Sequence, residues 1–127
     1  MEKILIVDDE ENARIGLEKL LSRDGYQVSA VSNGLEALDH LSRHPADLVI
    51  TDINMPEMNG LVFLRELNWA HPTVSVIMVT AYGGVESYLE AMNLGAFEYL
   101  NKPVKFEELK AVIGRIFNRD LKQANQL

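Results

Sequence analysis

Two patterns of hydrophobic positions alternate along the chain, and each pattern predicts a different kind of element. Short runs rich in branched and other apolar residues predict five strands, at 4–7, 27–31, 48–51, 74–80 and 97–100. Between and after these runs, apolar residues recur every three or four positions, as on one face of an amphipathic helix. This second pattern predicts five helices, around 13–21, 35–41, 61–67, 85–94 and 106–117.

Strands and helices alternate five times with short connections, which predicts an α/β fold. Consecutive strands joined through a helix run parallel, and a parallel sheet is covered by helices on both faces. The 127 residues are enough for one such domain with a sizeable core. We therefore predict a single doubly wound (βα)5 domain over residues 1–118. The polar segment 119–127 is predicted to be a C-terminal tail, either a fraying helix end or the start of a linker or coiled coil.

Composition and charge argue against several classes of protein. No apolar run approaches the roughly 18 residues that a membrane span requires. The chain has no cysteine, which excludes disulfides and zinc–thiolate sites and is consistent with a reducing cytoplasm. The formal net charge of −7 argues against direct nucleic acid binding by this segment, because phosphate backbones attract basic surfaces. We expect a cytoplasmic domain without membrane contact.

Acidic residues stand where the predicted strands end, which is the edge of an open α/β sheet where ligands bind. Asp8 and Asp9 follow the first strand and Asp52 follows the third, whereas Asp47 lies before the third strand, about 16 Å away. Each acid alone has an ordinary explanation as a helix N-cap or turn residue. If the first and third strands are neighbours, however, three carboxylates converge. Their repulsion then requires a cation or raised pKa values.

Oxygen ligands without a nearby histidine or cysteine favour a hard ion, and we predict Mg²⁺. Two further strand ends carry groups suited to phosphate. The fourth strand ends in Thr80, followed by the small Ala81, and the fifth leads into Lys102, followed by Pro103. Taken alone, Thr80 is an ordinary strand residue and Lys102 a solvated lysine. Together with the acids they suit phosphoryl transfer, in which catalysis is mainly positioning and charge neutralisation.

At these positions the chain resembles the receiver domains of bacterial response regulators, over about residues 3–118. Four short motifs carry the resemblance: Asp8–Asp9 in ILIVDDE, Asp52 in TDINMPEMNG, Thr80–Ala81 in VTAY and Lys102–Pro103 in AFEYLNKP. The resemblance implies a flavodoxin-like sheet with the strand order 2-1-3-4-5. It also implies a signalling phosphoprotein of a two-component system, which assists its own phosphorylation and dephosphorylation and is not otherwise an enzyme.

The resemblance also implies roles for the acidic positions. Asp52 would attack phosphohistidine on a sensor kinase and become an aspartyl phosphate. Asp9 and Asp52 would bind Mg²⁺ directly, Asp8 would bind it through water, and the backbone carbonyl of Asn54 would complete the protein ligands. Asn54 and Tyr82 match the variable positions that tune the lifetime of the phosphoryl group.

The remaining matched positions imply a switch. Lys102 and Thr80 would contact the phosphoryl oxygens, and Ala81 would leave room for them. The peptide bond from Lys102 to Pro103 would be cis. Tyr99 matches the aromatic residue that swings inward when the threonine closes on phosphate, although an ordinary half-buried strand tyrosine would look the same in the sequence.

Movement of Thr80 would reach the fourth helix through Gly83–Gly84, which restrain the backbone little. We expect the signal to be read on the surface of the fourth helix, fifth strand and fifth helix. The implied partners are a sensor histidine kinase or phosphotransfer protein, a fused or separate output domain, and a second copy of the chain, bound through this surface or the C-terminal helix. Residues 83–103 resemble receivers fused to ATP-dependent bacterial transcription activators, so we expect a role in transcription regulation.

Three alternatives differ from this interpretation at specific residues. A haloacid-dehalogenase-type Mg²⁺-dependent phosphatase needs a second aspartate two residues after its nucleophile, where this chain has Asn54. A nucleotide- or flavin-binding module would carry a glycine-rich phosphate loop, and neither GxxxxGK[ST] nor GxGxxG occurs. The third alternative is a receiver-like interaction module that is never phosphorylated, and the intact acid set together with Lys102 argues against it.

Overall fold

The computed structural model describes residues 1–55, 57–81 and 84–125, with side chains described as far as residue 118. The strands are β1 (Lys3–Val7), β2 (Gln27–Val31), β3 (Leu48–Asp52), β4 (Ser75–Thr80) and β5 (Glu98–Asn101). The helices are α1 (Glu11–Arg23), α2 (Gly34–Arg43), α3 (Gly60–Ala70), α4 (Val85–Asn93) and α5 (Phe106–Asn125). Tyr82 and Gly83, which have expected roles, lie outside the described part, and so does Pro56, which with Asn59 and Gly60 is predicted to form the turn that leads to the third helix.

The five strands form one parallel sheet in the order β2-β1-β3-β4-β5, which confirms the predicted topology. β1 lies between β2 and β3, so that Ile6 pairs with Ala30 on one side and with Ile50 on the other. The chain order reverses between β1 and β3, and this reversal leaves a crevice at the carboxyl ends of the two strands. The condition for convergence of the acids, that β1 and β3 be neighbours, is therefore met.

The core has two layers because successive residues of each strand point to opposite faces of the sheet. Leu5 and Val7 pack with Phe63 on the face that α2, α3 and α4 cover. Ile4 and Ile6 pack on the opposite face, under α1 and α5. Burying one side chain of this size contributes about 1.5–3 kcal/mol, so β1 is anchored from both faces. The same two-sided burial explains why β1, β3 and β4 are continuous apolar runs rather than alternating ones.

Helix ends differ from the predicted ends by a few residues, because capping groups and not the apolar stripe set them. α2 begins at Gly34, where the side chain of Asn33 accepts a hydrogen bond from the backbone N–H of Glu36 at 2.8 Å. The side chain of Asn59 accepts two such bonds at the start of α3. Gly25 follows the end of α1 with φ of 95°, a left-handed conformation that is common in the residue that stops a helix.

The last helix runs further than its apolar stripe indicated. The stripe ends at residue 117, whereas α5 continues to Asn125 and so includes most of the polar segment 119–127. A helix can continue past its buried face without an apolar signal, so periodicity alone could not find this end. The domain boundary near residue 118 stays a prediction. Within the described part of the chain, no helix is both long enough and apolar enough to cross a membrane.

Candidate functional site

The three predicted acids converge at the carboxyl edge of the sheet. Asp8 directly follows β1, and Asp52 is the last residue of β3 rather than the first residue after it. Each of Asp8, Asp9 and Asp52 offers an oxygen, and these oxygens lie within 4.8 Å of one another. Asp8 and Asp52 are buried and Asp9 is exposed. Strand pairing thus brings together carboxylates that are more than forty positions apart in the sequence.

Lys102 forms ion pairs with two of the three acids, Asp8 and Asp52. Its Nζ atom donates to Oδ2 of Asp8 and to Oδ2 of Asp52, each at 2.8 Å. Burial alone would lower the pKa of Lys102, but the hydrogen bonds to Asp52 and Asp8 and the charges of both acids outweigh it and raise the pKa. The lysine therefore stays charged and relieves part of the repulsion between the acids. The sequence predicted that this cluster needs a cation or raised pKa values, but it did not identify Lys102 as a cation that contacts the acids.

Asn54 connects Asp52 to the end of β4 through two different groups. Its backbone N–H donates to Oδ1 of Asp52 at 3.0 Å, so both carboxylate oxygens of Asp52 have donors. Its side-chain amide donates to Oγ1 of Thr80 at 3.4 Å. Thr80 is fully buried at the end of β4, and Ala81 follows it at the surface. Asn54 therefore links the carboxylate of Asp52 to the hydroxyl of Thr80 through two hydrogen bonds.

The loop after β3 is held against the strand by a glycine. The backbone N–H of Gly60 donates to the carbonyl of Ile53 at 2.7 Å. A Cβ atom at position 60 would collide with the carbonyl oxygen of Asp52 and would lie 2.6 Å from Cα of Ile53. Only glycine fits such a close approach of two backbone segments. The Asn-Gly pair at positions 59 and 60 predicts a turn that leads to the third helix, but it does not predict this close approach of two backbone segments.

The loop after β1 is held by contacts from α1. The backbone N–H of Glu10 donates to Oδ1 of Asp8 at 2.9 Å, as in a local Asx turn. The guanidinium of Arg14, one turn into the helix, donates to the backbone carbonyl of Asp8 at 2.7 Å. This contact of Arg14 could not be predicted, because no local sequence pattern links a helix arginine to the carbonyl of a loop that precedes it.

Tyr99 and Pro103 complete the set of predicted positions. Tyr99 is buried, not half-buried, and its hydroxyl and the hydroxyl of Ser87 in α4 lie 3.1 Å apart in a hydrogen bond. The ring of Tyr88 packs edge-on against the ring of Tyr99, with the centroids 5.6 Å apart. The peptide bond between Lys102 and Pro103 is cis, as the resemblance implied. The aromatic ring thus links β5 directly to α4.

An open groove of about 500 Å³ lies beside the acids, between α1 and the start of α5. Ala13 and Leu17 line one wall, and Val104 and Phe106 line the other. Because the groove is open, the apolar face of α1 is only partly covered. Leu21 is buried, whereas Ala13 and Leu17 are half-buried. The site is therefore accessible from the side of α1.

The donor set suits a hard divalent cation. All three side chains of the cluster supply carboxylate oxygens, which Mg²⁺ prefers to nitrogen or sulfur ligands. Asp9 is exposed, so an ion there would keep part of its water shell, as Mg²⁺ commonly does. Among the described residues, this is the one group of three or more such ligands that lies close enough to hold an ion.

The fold and the site together define a flavodoxin-like α/β domain with an acidic, oxygen-lined pocket at its carboxyl edge. The chain belongs to the response regulator receiver domain family, whose model matches residues 4–114. Members of this family are signalling proteins, and the sequence-based identification is confirmed.

Relatives of known name support the assignment at moderate identity. The chain is 37% identical over 112 residues to sporulation initiation phosphotransferase F of Bacillus subtilis, covering 88% of this chain and 90% of that protein. It is 39% identical over 110 residues to the transcriptional regulatory protein ZraR of Klebsiella oxytoca, covering 87% of this chain but 25% of that protein. The chain therefore spans about a quarter of the length of such a transcriptional regulator.

A solved structure shows the same fold. The response regulator protein TrrA of Thermotoga maritima, solved in complex with Mg(2+)-BeF, is 37% identical and has a TM-score of 0.83. The match covers 91% of this chain and 99% of that one.

Proposed function

We propose that Asp52 is the phosphoacceptor of this receiver domain and takes a phosphoryl group from phosphohistidine on a sensor histidine kinase or phosphotransfer protein. A carboxylate oxygen of Asp52 attacks phosphorus, the phosphorus–nitrogen bond breaks, and its electron pair stays on the imidazole, which takes up a proton. The product is an aspartyl phosphate. The observation that carries the proposal is the position of Asp52, oriented by Lys102 and the Asn54 backbone within a cluster of acids.

Mg²⁺ is the proposed cofactor, with Asp9 and Asp52 as direct ligands, Asp8 as a ligand through water and the Asn54 carbonyl as the fourth protein group. When bound, the ion neutralises charge on the transferring phosphoryl oxygens. The oxygen-only donor set supports this assignment, and a 37% identical receiver was solved with Mg(2+)-BeF. Lys102, now on the two acids, has the reach and charge to contact a phosphoryl oxygen on Asp52.

Thr80 is the proposed sensor of the phosphoryl group. Its buried hydroxyl would exchange the amide of Asn54 for a phosphoryl oxygen, and the exposed Ala81 would leave room for that group. Tyr99 would pass the change to α4, which it already contacts through Ser87. The output surface is then the one formed by α4, β5 and α5. Support comes from exposed apolar side chains on α4, where Val85 is 75% exposed.

We infer that the domain works in the cytoplasm as a signalling phosphoprotein that assists its own phosphorylation and dephosphorylation. The output would be transcription regulation through a fused or separate domain, because a relative such as ZraR is named as a transcriptional regulator. The phosphorylated form would dimerise through the surface of α4, β5 and α5 or through the long C-terminal helix. The comparisons give no support to a haloacid-dehalogenase phosphatase, and the side-chain amide of Asn54 does not titrate as that enzyme's acid–base group must.

The test uses the whole 127-residue chain with Mg²⁺ and acetyl phosphate, followed by intact-mass measurement. We expect one added, base-labile phosphoryl group, which EDTA prevents and Asp52→Asn removes. Asp47→Asn is the matched control, because Asp47 lies at the opposite edge, where its side chain accepts the backbone N–H of Lys3. Phosphorylation of Asp52→Asn at the wild-type level would overturn the assignment. An unmodified wild type at saturating donor would support the interaction module that is never phosphorylated.

A further inference from the structure

The acids after β1 lie in a loop that ends at a helix without the usual side-chain cap. α1 begins at Glu11, and the side chain of its N-cap residue, Glu10, makes no capping hydrogen bond. A helix start of this kind frays more readily than a capped one, by about 1 kcal/mol. Other contacts must therefore hold the loop that carries Asp8 and Asp9.

Two of those contacts hold the Asp8 end of the loop. The backbone N–H of Asp8 donates to the carbonyl of Val31 at 3.2 Å, and the side chain of Asp8 accepts the N–H of Glu10. Asp9 differs from Asp8. In the described part of the chain its carboxylate has no hydrogen-bond partner. The position of this exposed side chain therefore depends on the backbone that carries it.

Arg14 holds that backbone. Its guanidinium donates to the carbonyl oxygen of Asp8 at 2.7 Å. This carbonyl belongs to the peptide unit that also contains the N–H of Asp9, and a peptide unit is planar. Holding one end of the plane therefore restricts its rotation and with it the position of the Asp9 Cα atom, whose side chain brings an oxygen within 4.8 Å of the other acids.

We infer that Arg14 is a positioning residue for the metal site, acting through the peptide between Asp8 and Asp9. The inference rests on the proposed Mg²⁺-dependent function and names a residue that the sequence motifs do not include. Outer contacts that orient ligands commonly account for about 10–100-fold in metal affinity. Because Arg14 touches one carbonyl and no ligand oxygen, we expect an effect of about tenfold on the dissociation constant for Mg²⁺.

The charge of Arg14 and its positioning role predict opposite changes in Mg²⁺ affinity when Arg14 is replaced, so the two effects can be told apart. The guanidinium is a positive charge beside a cation site, and charge repulsion alone would make its removal tighten Mg²⁺ binding. Loss of positioning would weaken binding instead. Arg14→Ala removes both effects, whereas Arg14→Lys keeps the charge but loses the planar fork that reaches the carbonyl.

The experiment measures the dissociation constant for Mg²⁺ by calorimetry on the whole chain, without a phosphoryl donor. We expect Arg14→Ala to weaken binding about tenfold, Arg14→Lys to weaken it at least as much because the repulsive charge remains, and the control Arg23→Ala, in the last turn of the same helix, to leave it unchanged. Binding by Arg14→Ala as tight as, or tighter than, that of the wild type would overturn the inference. Absence of Mg²⁺ binding in the wild type would instead overturn the proposed function and, with it, this inference.

A double-mutant cycle separates positioning from general loss of structure. If Arg14 acts through Asp9, then Arg14→Ala should change Mg²⁺ affinity less than twofold when Asp9 is already Asn. A full tenfold effect in the Asp9→Asn background would overturn the inference. Thermal unfolding in EDTA checks that each variant is folded, and Arg14→Gln replaces Arg14→Ala in the cycle if the alanine variant does not fold.

Discussion

The acidic edge and α4 are adjacent parts of this molecule, but they are held in very different ways. At the acidic edge, Asp52 ends a strand that is buried throughout, and both of its carboxylate oxygens have donors. In α4, Ala91 is the one buried residue of nine, while Val85 and Leu89 are more than half exposed. The group that would react is thus rigidly placed, whereas the helix that would respond is loosely attached. Weakly held elements of this kind supply the moving parts of switches.

The two ends of α4 also differ from each other. At the C-terminal end, the side-chain amide of Asn68 in α3 donates to the carbonyl of Leu94 at 2.9 Å. Gly95 then turns the chain with φ of 104°, and a Cβ atom there would lie 2.6 Å from the amide nitrogen of Asn68. Nearer the N-terminal end, α4 contacts Tyr99 through the hydrogen bond to Ser87 and through the ring of Tyr88. We therefore expect α4 to pivot about its C-terminal end.

The largest effect is expected at Gly60. Gly60→Ala places a methyl group against the backbone of Asp52 and Ile53, and overpacking of this kind costs about 1–3 kcal/mol or more in unfolding free energy. Urea denaturation measures the loss. Gly16→Ala is the control: nothing lies within 4 Å of a Cβ atom in this α1 position, so it should gain up to about 1 kcal/mol. Equal stability of Gly60→Ala and the wild type would mean that the acidic edge is not rigid.

Lys102→Met should have the next largest effect. Without the ammonium group, Asp8 and Asp52 face each other without neutralisation, and the unfolding free energy in EDTA should fall by about 1–3 kcal/mol. Saturating Mg²⁺ should restore most of that loss. The control Lys110→Met breaks an exposed pair with Asp24 at 3.7 Å, which should cost less than about 1 kcal/mol. A loss that Mg²⁺ leaves unchanged would contradict the proposed site.

Asn68→Ala should loosen the C-terminal end of α4 without affecting the sheet. Loss of the bond to Leu94 should cost about 1 kcal/mol. The amides of Gly95 and Ala96, which bond back to the end of α4, should then exchange faster with deuterium, while amides of β1 and β3 stay protected. Asn93→Ala, an exposed position at the C-terminal end of α4, is the control. Faster exchange throughout the sheet would show that α4 is not a separate, loosely held unit.

The smallest effect is expected for the bond between Tyr99 and Ser87. Tyr99→Phe and Ser87→Ala remove the two sides of it, and a double-mutant cycle in urea should give a coupling of about 0.5–1 kcal/mol. Phosphorylation by acetyl phosphate should change less than twofold, because neither residue contacts the acids. Tyr88→Phe keeps the ring that packs on Tyr99 and serves as the control. Loss of phosphorylation in Ser87→Ala would mean that this hydrogen bond also holds the acidic edge in place.

Much of the fold and the site could be predicted because the signals are local. The strand run 48–51, for example, is apolar because its own two faces are buried, so the run is visible without the rest of the chain. The acids were found because ligand sites in this architecture lie at strand ends, and Asp8 and Asp52 stand there in the sequence. The family motifs added the strand order, which no local pattern contains.

The sequence by itself determined the elements, the edge at which chemistry sits and the residue types gathered there. Tertiary structure alone decided how those residues meet. Lys102 bonds to Asp52 across 50 positions and to Asp8 across 94, and Arg14 reaches back to a loop carbonyl. Gly60 is required by the approach of two backbone segments. Such contacts depend on strand register and helix packing, which arise only when the distant segments come together, so no local pattern records them.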